Sequence, residues 1–469
     1  MTRPIPLLDL GFLWIDRPET PANVGVLMLF DPPAGRTAAS AARQVVRSYR
    51  AARPGPPFDC IPAMPVPGLP HWQAAHGADA RRHVFHEHLP APGGLAELQR
   101  LVARLHETML DRSRPLFGVH VVDGLASGQL AIYLKSHHAT WDGRAALERI
   151  FGRFAREPGP ILPPFFASPA DGVQPPSAVA GTLVTGVHSL LAQASAVREL
   201  AGRLSARARH ARGNRPFAGP HTRFNEPVTA GREYACFSLP LDEMRRVARA
   251  CGGTLNDVAL AVVDAGVEKF LAELGERPSQ PLVAMCPVSL REPGDDEATT
   301  KASTLFVPLA RPRASAARRL AQIVANTRAA KTEFRGFSRE AALDYAVLAF
   351  GLWFVSNTLG LDAVTHPVIN LVVSNVGAVE GERYLGACRL AAAYPVSMLA
   401  DPAGLNVTLL SVNDHVDFGV VANAAVVDDA GALARACEAA FDQLRRAAKR
   451  PSASGARRRT ARTHQPVSP

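Results

Sequence analysis

Two rhythms alternate along the chain. Runs with an apolar residue at every second position predict strands, and runs with apolar residues three and four apart predict helices. The segment Asn23 to Pro33, NVGVLMLFDPP, is strand-like and stops at Asp-Pro-Pro, whereas TAASAARQVVRSYRAARPG is a helix ended by Pro-Gly. LAELQRLVARLHETMLD places Leu98, Leu101, Leu105 and Met109 on one helical stripe. A hairpin follows. LFGVHVVDG sets Phe117, Val119 and Val121 on one face, and QLAIYLKS does the same with Leu130, Ile132 and Leu134. The next run, DGRAALERIFGRFA, is a helix that buries Leu147, Ile150, Phe151 and Phe154. Between this strand and this helix stands KSHHATWDG, so His137 and His138 occupy a strand-to-helix turn.

The alternation lapses between Gly159 and Asn225. That stretch opens proline-rich, carries one long helix with Leu183, Val187, Leu190, Leu191, Val197, Leu200 and Leu204 on a side, and ends basic and broken by Gly and Pro. It then resumes. REYACFSLP, PLVAMCPVSLR and PVINLVVSNVG read as strands, the last apolar enough to be buried on both faces. LNVTLLSV and VDFGVVANAAVV form a hairpin around Asn413-Asp414. LDEMRRVARA, TLNDVALAVVDAGVEKFLAELGE, SREAALDYAVLAFGLWFV and ALARACEAAFDQLRRA are helical. The predicted organisation is an α/β half over 1–158, a linker over 159–225, a second α/β half over 226–448 and a basic tail over 449–469.

With 469 residues, 47% hydrophobic and 20% charged, the chain can bury a sizeable core and is not a disordered polymer. The net charge of +10 is unevenly placed. No acidic residue follows Asp442, while Arg445, Arg446, Lys449, Arg450, Arg457, Arg458, Arg459 and Arg462 crowd the end. This predicts a solvated tail, with attraction to an anionic membrane surface as the sharper alternative. Nothing in the body supports nucleic-acid binding. Six scattered cysteines without a C-x-x-C predict reduced thiols and a cytoplasmic setting. The N-terminus has no signal-peptide pattern, and neither Gly172–Val197 nor Tyr345–Leu361 is predicted to span a bilayer.

The histidine pair has three readings. As metal ligands the two are badly spaced, since helical zinc sites use i and i+4 and want a third ligand nearby; no metal is expected. As a packed turn they would satisfy backbone groups. As a general base, a neutral imidazole suits pH 7 provided that its tautomer is fixed. Asp142 reads as a brace, by capping the helix or pairing with an arginine, and Gly143 lets the turn close. Further on, Thr254 as N-cap puts Asp257 at the third helical position, a capping-box arrangement. Ser374-Asn375 reads as a polar strand end. No G-x-S-x-G occurs, which disfavours a serine hydrolase.

HHATWDG fits the H-H-x-x-x-D-G signature of acyltransferases related to chloramphenicol acetyltransferase and to peptide-synthetase condensation domains. Further segments match in order: PLLDLGFLWIDRPETPANVGVLMLFDPP, DRSRPLFGVHVVDG, GGTLNDVALAVV, MCPVSLR, LVVSNVG and YPVSMLADPAGLNVTLLSVNDHVDFGVVAN. From Pro6 to about Leu444 the chain resembles the bacterial wax ester synthase/diacylglycerol acyltransferase family. The resemblance implies two chloramphenicol-acetyltransferase-like α/β halves, mixed sheets flanked by helices, joined by a helical linker with a channel between them. It implies acyl-CoA as co-substrate, a diacylglycerol or fatty alcohol as acceptor, and no resident cofactor. His138 then matches the catalytic base, His137 its supporting neighbour and Asp142 the structural acid. Asn256 becomes a candidate oxyanion donor, and Gly143, Trp141, Ser374, Asn375 and Asp257 are expected on the substrate side, with Trp141 narrowing the channel. The chain departs from the family at Phe117, where Trp is usual in Pro-Leu-Trp, and at SNVGAVEG, where a Pro-Gly-Pro loop is usual. A different alcohol acceptor, or a lipid-binding relative with a decayed site, remains open at this point.

Overall fold

The computed structural model describes residues 3–65, 68–141, 143–168, 219–289, 302–334 and 367–449. The long helix expected between Leu183 and Leu204, the apolar run from Tyr345 to Leu361 and the chain beyond 449 lie outside the described residues, as does Asp142.

Two six-stranded mixed sheets dominate. The first comprises β2 (Asn23–Asp31), β5 (Val84–His88), β6 (Phe117–Asp123), β7 (Leu130–His137), β12 (Tyr384–Leu385) and β13 (Cys388–Val396), in the order β12-β13-β2-β7-β6-β5. The second comprises β8 (Arg232–Pro240), β9 (Val283–Ser289), β10 (Ala302–Pro308), β11 (Leu371–Val379), β14 (Leu405–Val412) and β15 (His415–Asn423), in the order β10-β9-β11-β14-β15-β8. Both predicted hairpins are present: β6 with β7, and β14 with β15 around Asn413, whose φ of 50° suits the tight turn. Sheet and chain do not divide at the same place. Residues 384–396 come late in the chain yet pair into the first sheet, β13 lying antiparallel to β2.

Helices α2 (Ala38–Ala51) and α4 (Gly143–Phe151) cover one face of the first sheet and α3 (Leu95–Glu107) the other. This explains why β7 is buried along its whole length: Leu130, Ile132 and Leu134 join one core, and Ala131 and Tyr133 the next. Even Lys135 is buried, its ammonium donating to the Leu105 and Thr108 carbonyls at 2.7 Å each at the end of α3. Burial drops its pKa to about 8. The second sheet packs on α5 (Leu241–Ala250), α6 (Leu255–Glu273), α7 (Ala316–Phe334) and α8 (Ala430–Lys449). Helix α6 is apolar almost all round because neighbours surround it.

The sheets meet where β13 passes β15. A Cβ on Gly419 would lie 1.7 Å from the Pro395 carbonyl oxygen, so only glycine admits this approach. Beside it, buried Asp417 accepts from Ser238 Oγ at 2.6 Å and the Ala393 N–H at 2.7 Å; burial pushes its carboxyl up to about 6. Lys449, assigned to the basic tail, belongs instead to structure, beside two cations of the predicted last helix. Arg445, Arg446 and Lys449 lie on α8, and Arg445 pairs with Glu243 at 2.6 Å and Asp442 at 2.8 Å.

A small N-terminal lobe completes the described fold. Strands β1 (Arg3–Pro4), β3 (Cys60–Ala63) and β4 (His71–Ala74) form a three-stranded sheet, and α1 (Leu7–Ile15) packs on it through Leu10 and Leu13.

Candidate active site

The end of β7 separates the two histidines. His137, the last strand residue, points inward and is 1% exposed; His138 opens a single 3-10 turn and is half-buried. The Leu116 carbonyl anchors the strand end, accepting from the His137 N–H and the Ser136 hydroxyl at 3.1 Å each. The His138 N–H donates to the Ala22 carbonyl at 2.8 Å. Its ring stacks on Phe12 of α1, centroids 3.8 Å apart. Backbone and ring of His138 are thus held from two sides.

His137 is a brace with a determined tautomer. Its Nδ1 accepts from the Ala139 N–H at 3.1 Å, so the proton resides on Nε2, which faces Asp16 Oδ2 at 3.4 Å. Asp16 also accepts from the Ala22 N–H at 2.9 Å and pairs with Arg112 at 3.0 Å. Burial pushes the Asp16 carboxyl up, but the His137 ring, the Ala22 N–H and the Arg112 guanidinium outweigh it and hold the group below its ordinary 3.8. Arg112 further ties down α1 by donating to the Leu13 carbonyl at 2.5 Å. Neither Asp16 nor Arg112 stood out in the sequence. The available signal was their place inside two motif-bearing segments, FLWIDRP and DRSRPLF.

The turn sends Trp141 away from His138. The indole is 7% exposed and packs edge-on to Phe58 at 4.8 Å and tilted against Phe165 at 5.3 Å. Phe117 joins the same aromatic group, 5.2 Å from Phe58. The large indole and the smaller Phe117 both fill core, so packing accounts for the bulk of Trp141, not the lining of a channel.

Gly143, the first residue of α4, makes the link to the second half. Its missing Cβ would sit 3.2 Å from Val376 Cγ1. Val376 lies where β11 breaks register with β14, between Asn375 and Ala378, and Gly377 there has a φ of 124°. So the altered SNVG segment is a bulged strand that resumes pairing at Ala378 and Val379. Ser374 is half-buried in β11 opposite Thr408.

Asn375 and Asn256, 119 residues apart, are hydrogen-bonded at 2.5 Å. Their orientation follows from the donors. Asn375 Oδ1 accepts from the Gly377 N–H at 2.9 Å, which turns its amide nitrogen to Asn256 Oδ1. The Asn256 NH2 is left as the donor end of an exposed side chain. Asp257 is spent on structure. One oxygen accepts from the Thr254 N–H at 2.6 Å and hydroxyl at 2.9 Å, and the other from Thr327 on α7 at 2.6 Å. It is 3% exposed and caps α6, so the expected substrate-side role gives way to the capping box. Among the described residues no three His, Cys, Asp or Glu side chains converge as a metal site would.

Residues 6–259 match the wax ester synthase/diacylglycerol acyltransferase catalytic domain, and residues 300–445 match the C-terminal domain of the same family. Rv3480c of Mycobacterium tuberculosis, named as a candidate diacylglycerol O-acyltransferase, is 31% identical over 93% of this chain and 96% of its own length. Mb0919 of Mycobacterium bovis, similarly named, is 34% identical over 90% of this chain and 86% of its own. The solved wax ester synthase/diacylglycerol acyltransferase of Marinobacter aquaeolei VT8 superposes with a TM-score of 0.78 at 27% identity, covering 95% of this chain and 99% of that one. The first condensation domain of the calcium-dependent antibiotic synthetase shares the fold, with a TM-score of 0.58 at 16% identity over 97% of each chain. The chain belongs to the wax ester synthase/diacylglycerol acyltransferase family and is an acyltransferase of that family.

Proposed function

We propose that the protein moves a fatty acyl group from acyl-CoA to the hydroxyl of a diacylglycerol or long-chain alcohol, giving triacylglycerol or wax ester, with His138 as general base. The observation that carries this reading is the division of the histidine pair: one ring locked inside on Asp16, the other half-accessible and stacked on Phe12.

In the proposed step the acceptor O–H gives its proton to neutral His138 as its oxygen attacks the thioester carbonyl. The tetrahedral oxyanion takes a hydrogen bond from the Asn256 NH2, which Asn375 orients. The C–S bond then breaks, and the departing thiolate recovers the proton from His138. No acyl-enzyme and no resident cofactor enter the scheme. The setting proposed is cytoplasmic, against the inner membrane face or a lipid inclusion. The names of the mycobacterial relatives favour diacylglycerol as acceptor.

The test is label transfer from radiolabelled acyl-CoA to a panel of diacylglycerol and long-chain alcohols. His138→Ala should lower turnover by about 10²–10⁴-fold with the fold intact. Full turnover in that variant would sink the base, and label appearing in none of the acceptors would sink the acceptor class.

A further inference from the structure

Arg232 opens β8, an edge strand of the second sheet, and is 4% exposed. Its guanidinium is spent on main-chain carbonyls. Nη1 donates to Gly231 at 3.1 Å, to Ala230 at 3.2 Å and also to Thr229. Nη2 crosses to the first half and donates to the Glu19 carbonyl at 2.8 Å, 213 residues away. Burial lowers the guanidinium pKa to about 10, and the Glu107 and Asp401 carboxylates offset part of that cost. Taking a charge out of water onto neutral acceptors is costly, so holding two halves together is a poor account of it.

The footing of Arg232 is firm. Asn423, at the end of β15, accepts from the Thr229 hydroxyl at 2.8 Å and donates to the Pro227 carbonyl at 3.0 Å. Asp401 accepts from the Val228 N–H at 2.6 Å. The far end lies on the turn that leads to the histidines. Arg17 and Thr20 close this turn with main-chain bonds, and Arg17, Pro18 and Glu19 are exposed. Among the described residues, Arg232 makes the only hydrogen bond from outside the turn to those three. Three residues on from Glu19, the Ala22 carbonyl accepts from the His138 N–H at 2.8 Å. Asn23 holds the other side of Ala22: it pairs with His137 in the β2–β7 register and donates to the His106 and Thr108 carbonyls at 2.7 and 2.9 Å.

We propose that Arg232 is a positioning residue: anchored in the second half, it holds the Arg17–Thr20 turn, and with it the Ala22 carbonyl that fixes His138. This deepens the reading of His138 as general base and rests on it. Arg232 stays buried and acts only through that ring. A misplacement of about 1 Å at a reacting group can cost about 10²-fold in rate, so a distant anchor can matter to the step.

Arg232→Gln and Arg232→Lys are compared with wild type for label transfer per folded molecule and for amide exchange read by mass spectrometry. Lysine keeps the charge but lacks the planar fork that reaches several carbonyls at once. In Arg232→Gln, kcat should fall about tenfold with KM for both substrates little changed, and Arg232→Lys should lose less. Peptides covering 20–23 and 137–141 should exchange about tenfold faster, while the β14–β15 hairpin keeps its protection. Added to His138→Ala, Arg232→Gln should cost nothing further. If the glutamine variant does not fold, Arg232→Lys carries the same readouts in the same direction. Unchanged exchange at both peptides overturns the proposal whatever the turnover. So does an unchanged kcat per folded molecule with lowered melting, because the arginine would then only tie the halves together. A further loss on the His138→Ala background also overturns it. If His138→Ala itself keeps full turnover, the general-base reading falls, while faster exchange at 137–141 in Arg232→Gln still upholds the hold on the turn.

Discussion

The histidine turn and the start of α6 solve the same problem in different ways. Each presents two adjacent polar residues, and each splits them into an inward brace and an outward group. At the turn, His137 ends the fully buried strand β7 and stays inside, whereas His138 opens the 3-10 turn and is half-buried. On the helix, the 3.6-residue period buries Asp257 and exposes Asn256. The braces differ in kind. His137 leans on a charged network, Asp16 and Arg112, that reaches back to α1. Asp257 is held by its own helix cap and by Thr327. Adjacency in a motif therefore does not mean shared surroundings; the local backbone, a strand end in one case and a helix start in the other, decides which of the two faces outward.

The comparison breaks if the outward residues matter to folding or the inward ones to the chemical step alone. After His138→Ala, the largest effect is expected at Asn256→Ala, which removes an exposed donor. Turnover should drop by about 10²–10³-fold, roughly 2.7–4 kcal/mol of barrier, with the melting temperature unchanged. Steady-state kinetics beside thermal melting would check both halves of that statement. Asp257→Ala should do the reverse. It strips a buried cap of its acceptors and should cost about 2–3 kcal/mol in urea unfolding, while the folded fraction keeps its activity.

Asp16→Asn should cost about 1–3 kcal/mol at neutral pH, and its pH dependence sharpens the contrast. The folded Asp16 carboxyl is held below its unfolded value of 3.8. Its contribution is therefore full above 3.8 and is lost as pH falls through the lower folded value. Denaturant midpoints of wild type and variant should converge in acid; a constant gap would remove the charge from the explanation. The smallest effect is expected at Asn375→Ala, which only orients Asn256. A loss of about tenfold in kcat with KM little changed is predicted. A loss as large as that of Asn256→Ala would make Asn375 a direct participant.

Local periods were legible in the sequence, and distant partnerships were not. The strand-to-helix turn, both hairpins and the Thr254–Asp257 cap were all readable, because each depends on residues within a few positions. The Asn256–Asn375 bond spans 119 residues and leaves no periodic trace. The Asp16 and Arg112 brace and the pairing of β13 with β2 escaped for the same reason. Trp141 misled for a different reason. Its position beside the histidines suggested the channel, but the 3-10 turn rotates the ring into the Phe58 and Phe165 group.

The late strand β13 sets a timetable for synthesis. Its partner β2 emerges from the ribosome early, and the residues that close it follow roughly 350 positions later, a wait of about 20–70 s at ordinary elongation rates. Throughout that interval the β2 edge is open to any other extended chain. A truncated product ending before residue 388 should be aggregation-prone for that reason alone, and the two halves should not be obtainable as separate soluble proteins.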